Sequence, residues 1–212
     1  MLDKKLNEYL LGTIPSNEDW VENLETYAKE NDVPIMDPIG MQFLQQLIRI
    51  HKPMRILEIG TAIGYSALRM LEANPTANIT TIERDKARYD FAVNVIKEQN
   101  KTSQIEIIHG DALEVVNELN EKHTFDLLFI DAAKGQYQRF FELYSPIIRK
   151  GGLIISDNVL FKGYVANPSE KPHRLTKIAN KIKAYNQWLI EKEEFHTSIV
   201  PVGDGVAITI KN

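Results

Sequence analysis

Two carboxylates, an amide and a lysine stand close together in two short stretches of this sequence, Phe129-Ile130-Asp131-Ala132-Ala133-Lys134 and Ile154-Ile155-Ser156-Asp157-Asn158. The hard oxygens of Asp131, Asp157 and Asn158 suit Mg2+, with Mn2+ or Ca2+ as competitors. Three such ligands leave about half of an octahedral shell open for neighbouring substrate oxygens and a water. A third stretch, Leu57-Glu58-Ile59-Gly60-Thr61-Ala62-Ile63-Gly64, offers a glycine turn in which Gly60 and Gly64 let the backbone approach a ligand. Its G-x-x-x-G spacing differs from the dinucleotide G-x-G-x-x-G and argues against a pyrophosphate clamp. Glu83 and Asp111-Ala112 follow two further apolar runs. A carboxylate at Glu83 can accept hydrogen bonds from ribose hydroxyls, and Asp111-Ala112 is placed to meet an adenine edge. A nucleoside cofactor beside an oxygen-ligand ion suggests group transfer to an oxygen that the ion holds. Taken singly, each acid could be a helix cap or a solvated surface group, and the glycine turn an ordinary one.

The elements that must position these residues alternate from Arg55 onward. Apolar runs predict strands at 55–59, 78–83, 104–109, 125–130 and 152–157, with helices at 64–73, 85–99, 111–120 and 135–149 between them. Strand then helix, repeated, means right-handed crossovers and a parallel sheet whose carboxyl edge carries all three stretches. Beyond residue 157 a loop over 162–172 leads into a basic helix at about 172–191. Strands at 195–201 and 205–211 follow, joined by Gly203-Asp204-Gly205 as an antiparallel hairpin. Ahead of the alternation, residues 3–12 and 18–30 read as helices, with Ser16 as the expected cap of the second. Pro34 and Pro38 keep the Val33–Asp37 segment extended, and a further helix runs to about His51 before Lys52-Pro53. The fold class expected is α/β in a single domain, residues 1–212. It comprises an N-terminal helical cap (1–51) and an α/β core (52–212).

Composition narrows the function classes. With 212 residues and 43% hydrophobic content the chain can bury a substantial core. A net charge of −4 provides no bulk attraction for polyanions, so nucleic-acid binding would need a local basic patch. The absence of cysteine removes disulfides, thiolate metal sites and cysteine nucleophiles and fits a cytoplasmic protein. No segment approaches the roughly 18 apolar residues of a membrane span.

Leu57–Gly64, Asp131–Lys134 and Asp157-Asn158 together resemble the divalent-metal S-adenosylmethionine O-methyltransferases, the group that includes the catechol and caffeoyl-CoA enzymes. The resemblance covers roughly residues 33–212. It implies a Rossmann-like class I methyltransferase fold with a mostly parallel seven-stranded sheet and an antiparallel C-terminal hairpin. It implies cofactor contacts at Met36, Glu58, Gly60, Ser66, Glu83, Asp111 and Ala112, with Asp131 bordering both cofactor and ion. It gives Lys134 the role of general base toward the substrate hydroxyl, and a homodimer is common among such proteins. Met36 could also be plain core packing. The length, the N-terminal helices and Asp131-Ala-Ala-Lys-Gly-Gln-Tyr137 look closest to the bacterial branch that methylates 5-hydroxyuridine at the tRNA wobble position. Lys162, Lys171, His173, Arg174, Lys177, Lys181 and Lys183 concentrate positive charge after the oxygen ligands and could hold tRNA phosphates. Tyr137, Phe161 and Tyr164 could stack an unpaired base. On sequence alone a solvated helix face is the favoured explanation of the basic run, and a small catechol or phenol satisfies the same ion geometry. A dehydrogenase is disfavoured by the missing dinucleotide glycines, and a non-catalytic nucleotide module by the oxygen triad with its lysine.

Overall fold

Three helices come first: α1 (Lys4–Thr13), α2 (Asp19–Glu30) and α3 (Pro38–His51). The computed structural model describes residues 4–120, 124–167 and 172–212. The start of α3 is fixed by Asp37, whose carboxylate accepts the backbone N–H groups of Ile39 and Gly40, each at 3.1 Å, with Pro38 in the first turn. The helix stops where Lys52 turns left-handed (φ 52°) ahead of Pro53. Ser16 does not cap α2. The helix starts from Glu18, leaving Ser16 too far upstream of the first turn, and the Glu18 carboxylate accepts the Trp20 indole N–H at 2.9 Å.

The described residues group into two units, one ending at Ala112 and the other running from Leu113 to Asn212. In the first, β1 (Arg55–Ile59), α4 (Tyr65–Ala73), β2 (Asn78–Glu83), α5 (Lys86–Glu98) and β3 (Ile105–His109) alternate as the apolar runs predict. The strands are parallel in the order β3-β2-β1, with Glu58 opposite Thr81 and Glu83 opposite His109. Ile56 to Ile59 are all buried, the pattern of a strand covered on both faces.

The second unit holds α6 (Val116–Asn120), β4 (Phe125–Ile130), α7 (Tyr137–Tyr144), β5 (Ile148–Ser156), α8 (His173–Ile190), β6 (Phe195–Val200) and β7 (Val206–Lys211). Here β4 and β5 are parallel, and β5-β7-β6 continue antiparallel. The helix expected over 135–149 is three pieces. A 3-10 turn at Lys134–Gln136 precedes α7, and another at Ser145–Ile147 follows it. Pro146 accounts for the break after α7, because it removes a backbone donor and disfavours helix in the residue before it. Strand β5 then starts early. Ile148 pairs with Phe125, but Leu127 next pairs with Leu153, so Arg149–Gly152 bulge out. Gly151 has φ 70°, and a Cβ on Gly152 would meet Ile148 Cγ2 at 2.6 Å and the Asp126 carbonyl at 3.0 Å. Only the second half of β5 therefore reads as a strand in the sequence. The helix expected over 111–120 is likewise shortened to Val116–Asn120.

The turn between α7 and β5 is secured by Lys211, whose ammonium donates to the carbonyls of Ser145 (2.8 Å), Pro146 (3.2 Å) and Ile148 (2.8 Å). Replacing Lys211 with methionine keeps the stem and removes the donor. The expected loss is about 1.5–3 kcal/mol, the range for hydrogen bonds to a charged group, read as a lower urea midpoint. An unchanged midpoint would show that water serves these carbonyls equally well.

The β6–β7 turn grips the chain that follows Asn158. The Asp204 carboxylate accepts the Lys162 N–H, its carbonyl accepts Leu160 N–H at 2.9 Å, and the Gly205 carbonyl accepts Val159 N–H at 2.9 Å. A Cβ on Gly205 would lie 2.3 Å from Leu160 Cγ. Among the described residues, no helix is long and apolar enough to cross a membrane.

Candidate active site

The glycine turn follows β1 with three left-handed residues, Gly60 (φ 106°), Ala62 (φ 47°) and Gly64 (φ 82°). A Cβ on Gly64 would make only ordinary contacts at 3.6 Å, so backbone conformation rather than space selects glycine there. Two carboxylates hold the turn. Glu58 is fully buried and accepts the hydroxyls of Ser66 and of Thr81, the latter at 2.6 Å, while Thr81 and Thr61 share a 2.7 Å bond. A charge at that depth needs such partners. Glu83 accepts the Ala62 N–H at 2.9 Å on one oxygen and the Asp85 N–H at 2.8 Å on the other, pinning the turn to the end of β2. Each oxygen keeps a further acceptor site for a ligand hydroxyl. The Gly110 N–H donates to the Glu83 carbonyl at 3.0 Å, which brings Asp111 and Ala112 to the same edge. Glu58, Gly60, Ser66, Glu83 and Asp111-Ala112 thus form one neighbourhood. Met36 is buried and packs over the start of α3, its Cε 3.2 Å from where a Cβ on Gly40 would stand. Thr61 and Thr81 are the partners that sequence reasoning missed. Their signal is a threonine inside an apolar strand, in register with a buried glutamate.

The second unit holds the candidate oxygen ligands. Asp131 follows β4, Asp157 follows β5, and the Asp157 N–H donates to the Ile130 carbonyl at 3.0 Å. Asp157, 2% exposed, accepts the Asn158 backbone N–H on one oxygen and the Asn158 side-chain amide on the other, both at 2.7 Å. Asn158 is left-handed (φ 57°), and its amide oxygen accepts the Lys134 ammonium. Lys134, Asn158 and Asp157 form a single hydrogen-bonded chain. Burial pushes the Asp131 carboxyl up, and the Lys134 ammonium opposes that rise. Burial likewise raises the Tyr137 phenol, helped by Asp131, Asp157, Tyr185 and Asp204.

This donor set fits a divalent cation. A half-buried carboxylate at the end of β4 and a buried one at the end of β5 stand on either side of the Lys134–Asn158 bond, an arrangement of hard oxygens that a doubly charged ion would suit. Among the described residues no three His, Cys, Asp or Glu side chains cluster as a metal site, so the set reaches three only through the Asn158 amide oxygen.

Lys162, Arg174 and Lys177 are exposed, and Lys171 lies outside the described residues. Lys181 reaches the Lys134–Gln136 turn, its ammonium 3.4 Å from where a Cβ on Gly135 would be. Two of the aromatics expected to stack a base are core residues instead. Tyr137 and Phe161 are buried, and only Tyr164, edge-on to Phe161 at 5.4 Å, keeps partial exposure. Tyr137 is the first residue of α7, on the face that packs inward with Phe140, Phe141 and Tyr144.

Known proteins match this chain along nearly its whole length. A caffeoyl-CoA O-methyltransferase of Populus kitakamiensis is 31% identical over 173 residues, spanning 79% of this chain and 74% of that protein. A flavonoid 3',5'-methyltransferase of Vitis vinifera is 29% identical over 219 residues, spanning 96% and 92%. The crystal structure of a Staphylococcus aureus protein, provisionally assigned as a caffeoyl-CoA O-methyltransferase, is similar at TM-score 0.89 and 36% identity, over 99% of this chain and 98% of that one. An SAH-bound methyltransferase of Podospora anserina shares the fold at TM-score 0.89 and 23% identity, over 98% and 94%. These likenesses bear out the Rossmann-like methyltransferase fold. The family model described as O-methyltransferase matches residues 16–212, and the chain belongs to that O-methyltransferase family.

Proposed function

We propose that this enzyme transfers the methyl group of S-adenosylmethionine to 5-hydroxyuridine at the tRNA wobble position, with a divalent ion held by Asp131, Asp157 and Asn158. The observation that carries the reading is the Lys134–Asn158–Asp157 chain beside the half-buried Asp131. When bound, the cofactor supplies an electrophilic methyl, and the ion acidifies and aligns a substrate hydroxyl. Glu83 accepts ribose hydroxyls, and Gly60 and Gly64 let the backbone close on the nucleoside. Asp111 and Ala112 border the base, while Met36 borders the methyl donor. Glu58 and Ser66 keep the turn in shape from beneath. In its neutral amine form, Lys134 would accept the hydroxyl proton as the new C–O bond forms and the methyl–sulfur bond breaks. No protein nucleophile is needed, so catalysis rests on proximity and charge control.

The exposed Lys162, Arg174 and Lys177 support an RNA substrate, since Arg174 and Lys177 share a face of α8 with Lys181. If they bind phosphates, alanine at both Arg174 and Lys177 weakens tRNA binding. It also flattens its salt dependence by about 0.7–0.9 per lost contact and leaves cofactor binding unchanged. Equal tRNA affinity in the double variant would reject the patch. A homodimer belongs to the same reading, because α1 buries none of its residues and leaves Leu6, Tyr9 and Leu11 exposed for a second copy to cover.

A small catechol or phenol is the second reading, favoured by relatives named for caffeoyl-CoA and a flavonoid. Labelled methyl transfer to total tRNA lacking this modification, run beside a catechol panel, separates the two. Formation of 5-methoxyuridine, lost in chelator, is the expected result. A fast catechol reaction without tRNA product would select the second reading.

A further inference from the structure

Tyr137 is 1% exposed, and its hydroxyl has no hydrogen-bond partner among the described residues. An unpaired buried hydroxyl is a standing cost to folding, so its retention asks for a state in which it is paired. Its surroundings indicate which state. The Tyr137 ring meets Tyr185 edge-on, with centroids 5.6 Å apart and planes at 79°. The Tyr185 hydroxyl bonds Ser156 Oγ at 2.8 Å, and Ser156 pairs in register with Ile130. Those two residues immediately precede Asp157 and Asp131. Tyr137 is therefore packed where the two acids leave their strands. The acids differ in one respect. Each Asp157 oxygen already accepts a bond from Asn158, whereas the half-buried Asp131 carboxylate accepts no hydrogen bond from the described residues. A buried donor without a partner and a half-buried acceptor without one thus stand in the same neighbourhood. Asp131 is also the first among the charges that raise the Tyr137 phenol.

We propose that the Tyr137 hydroxyl is the donor that orients the Asp131 carboxylate when that carboxylate ligates a divalent ion, which makes Tyr137 a positioning residue of the ion site. This rests on the ion reading above. A ligating carboxylate offers one oxygen to the cation and holds its angle through hydrogen bonds to the other. A buried phenol suits that task because packing fixes its ring and leaves only the O–H to rotate.

Tyr137→Phe keeps the ring and its contact with Tyr185. Mn2+ titration of the cofactor-free protein by calorimetry should show affinity weakened by about tenfold or more, within the 10–100-fold range for outer partners of metal ligands. Melting without ion should be unchanged or raised, since an unpaired hydroxyl has been removed. Adding Mg2+ to the wild type should give a tyrosine band in the ultraviolet difference spectrum that Tyr137→Phe lacks. Mn2+ affinity within twofold of wild type would overturn the proposal. So would a weakened affinity accompanied by a comparable loss of ion-free stability, because that is the signature of a structural role. Failure of the wild type itself to bind Mn2+ would overturn the ion reading together with this one.

Discussion

Asp157→Ala is expected to lower methyl transfer by about 10³-fold, roughly 4 kcal/mol of barrier at 1.36 kcal/mol per decade. The change is large because Asp157 does two things. It is a proposed ligand, and its two oxygens hold the backbone N–H and side-chain amide of Asn158, the neighbouring ligand. Without it, the left-handed Asn158 loses the bonds that aim its amide oxygen. Initial rates at saturating cofactor and ion measure the effect, and excess chelator on the wild type should reproduce it. S-adenosylmethionine affinity should change little, because residues of the first unit hold both Glu58 and Glu83. A rate within tenfold of wild type would remove the carboxylate from the reaction.

Lys134→Ala should reduce kcat by 10²- to 10⁴-fold, the usual contribution of a positioned general base, with KM for the cofactor almost unaltered. Lys134→Arg should fail to restore the rate. A guanidinium keeps its proton at any working pH and cannot accept one from a hydroxyl. The two variants separate the competing roles of this lysine. If its task were only to hold the Asn158 oxygen, arginine would restore much of the activity. A Lys134→Ala rate within about threefold of wild type lies below the general-base range and would remove the residue from the proton transfer.

Much of the first unit was legible because local signals agreed there. The apolar runs at 55–59 and 78–83 are strands β1 and β2 with the predicted bounds. Gly60 and Gly64 fall at positive φ where a ligand turn requires them. The second unit was less legible because tertiary pairing overrode the local pattern. Residues 145–152 mix Pro146, two arginine or lysine residues and two glycines, and nothing local says that Ile148 should pair with Phe125 five residues before pairing resumes at Leu153. The side-chain partners of Glu58 were hidden for a related reason. Thr81 faces it only through strand register, a relation that a single sequence does not carry. Tyr137 was misread because an aromatic beside a reactive lysine looks the same in sequence whether it turns outward to a base or inward to Tyr185.

The grip of Asp204 and Gly205 on Val159, Leu160 and Lys162 has a consequence for how the protein comes into being on the ribosome. At about 5–20 residues per second, roughly 45 residues of translation separate Asn158 from the turn that steadies its neighbours. For those few seconds Lys162, left-handed in the folded protein, lacks the Asp204 carboxylate that holds its N–H. The backbone that flanks Asp157 and Asn158 is thus secured only when the last strand pair has been made.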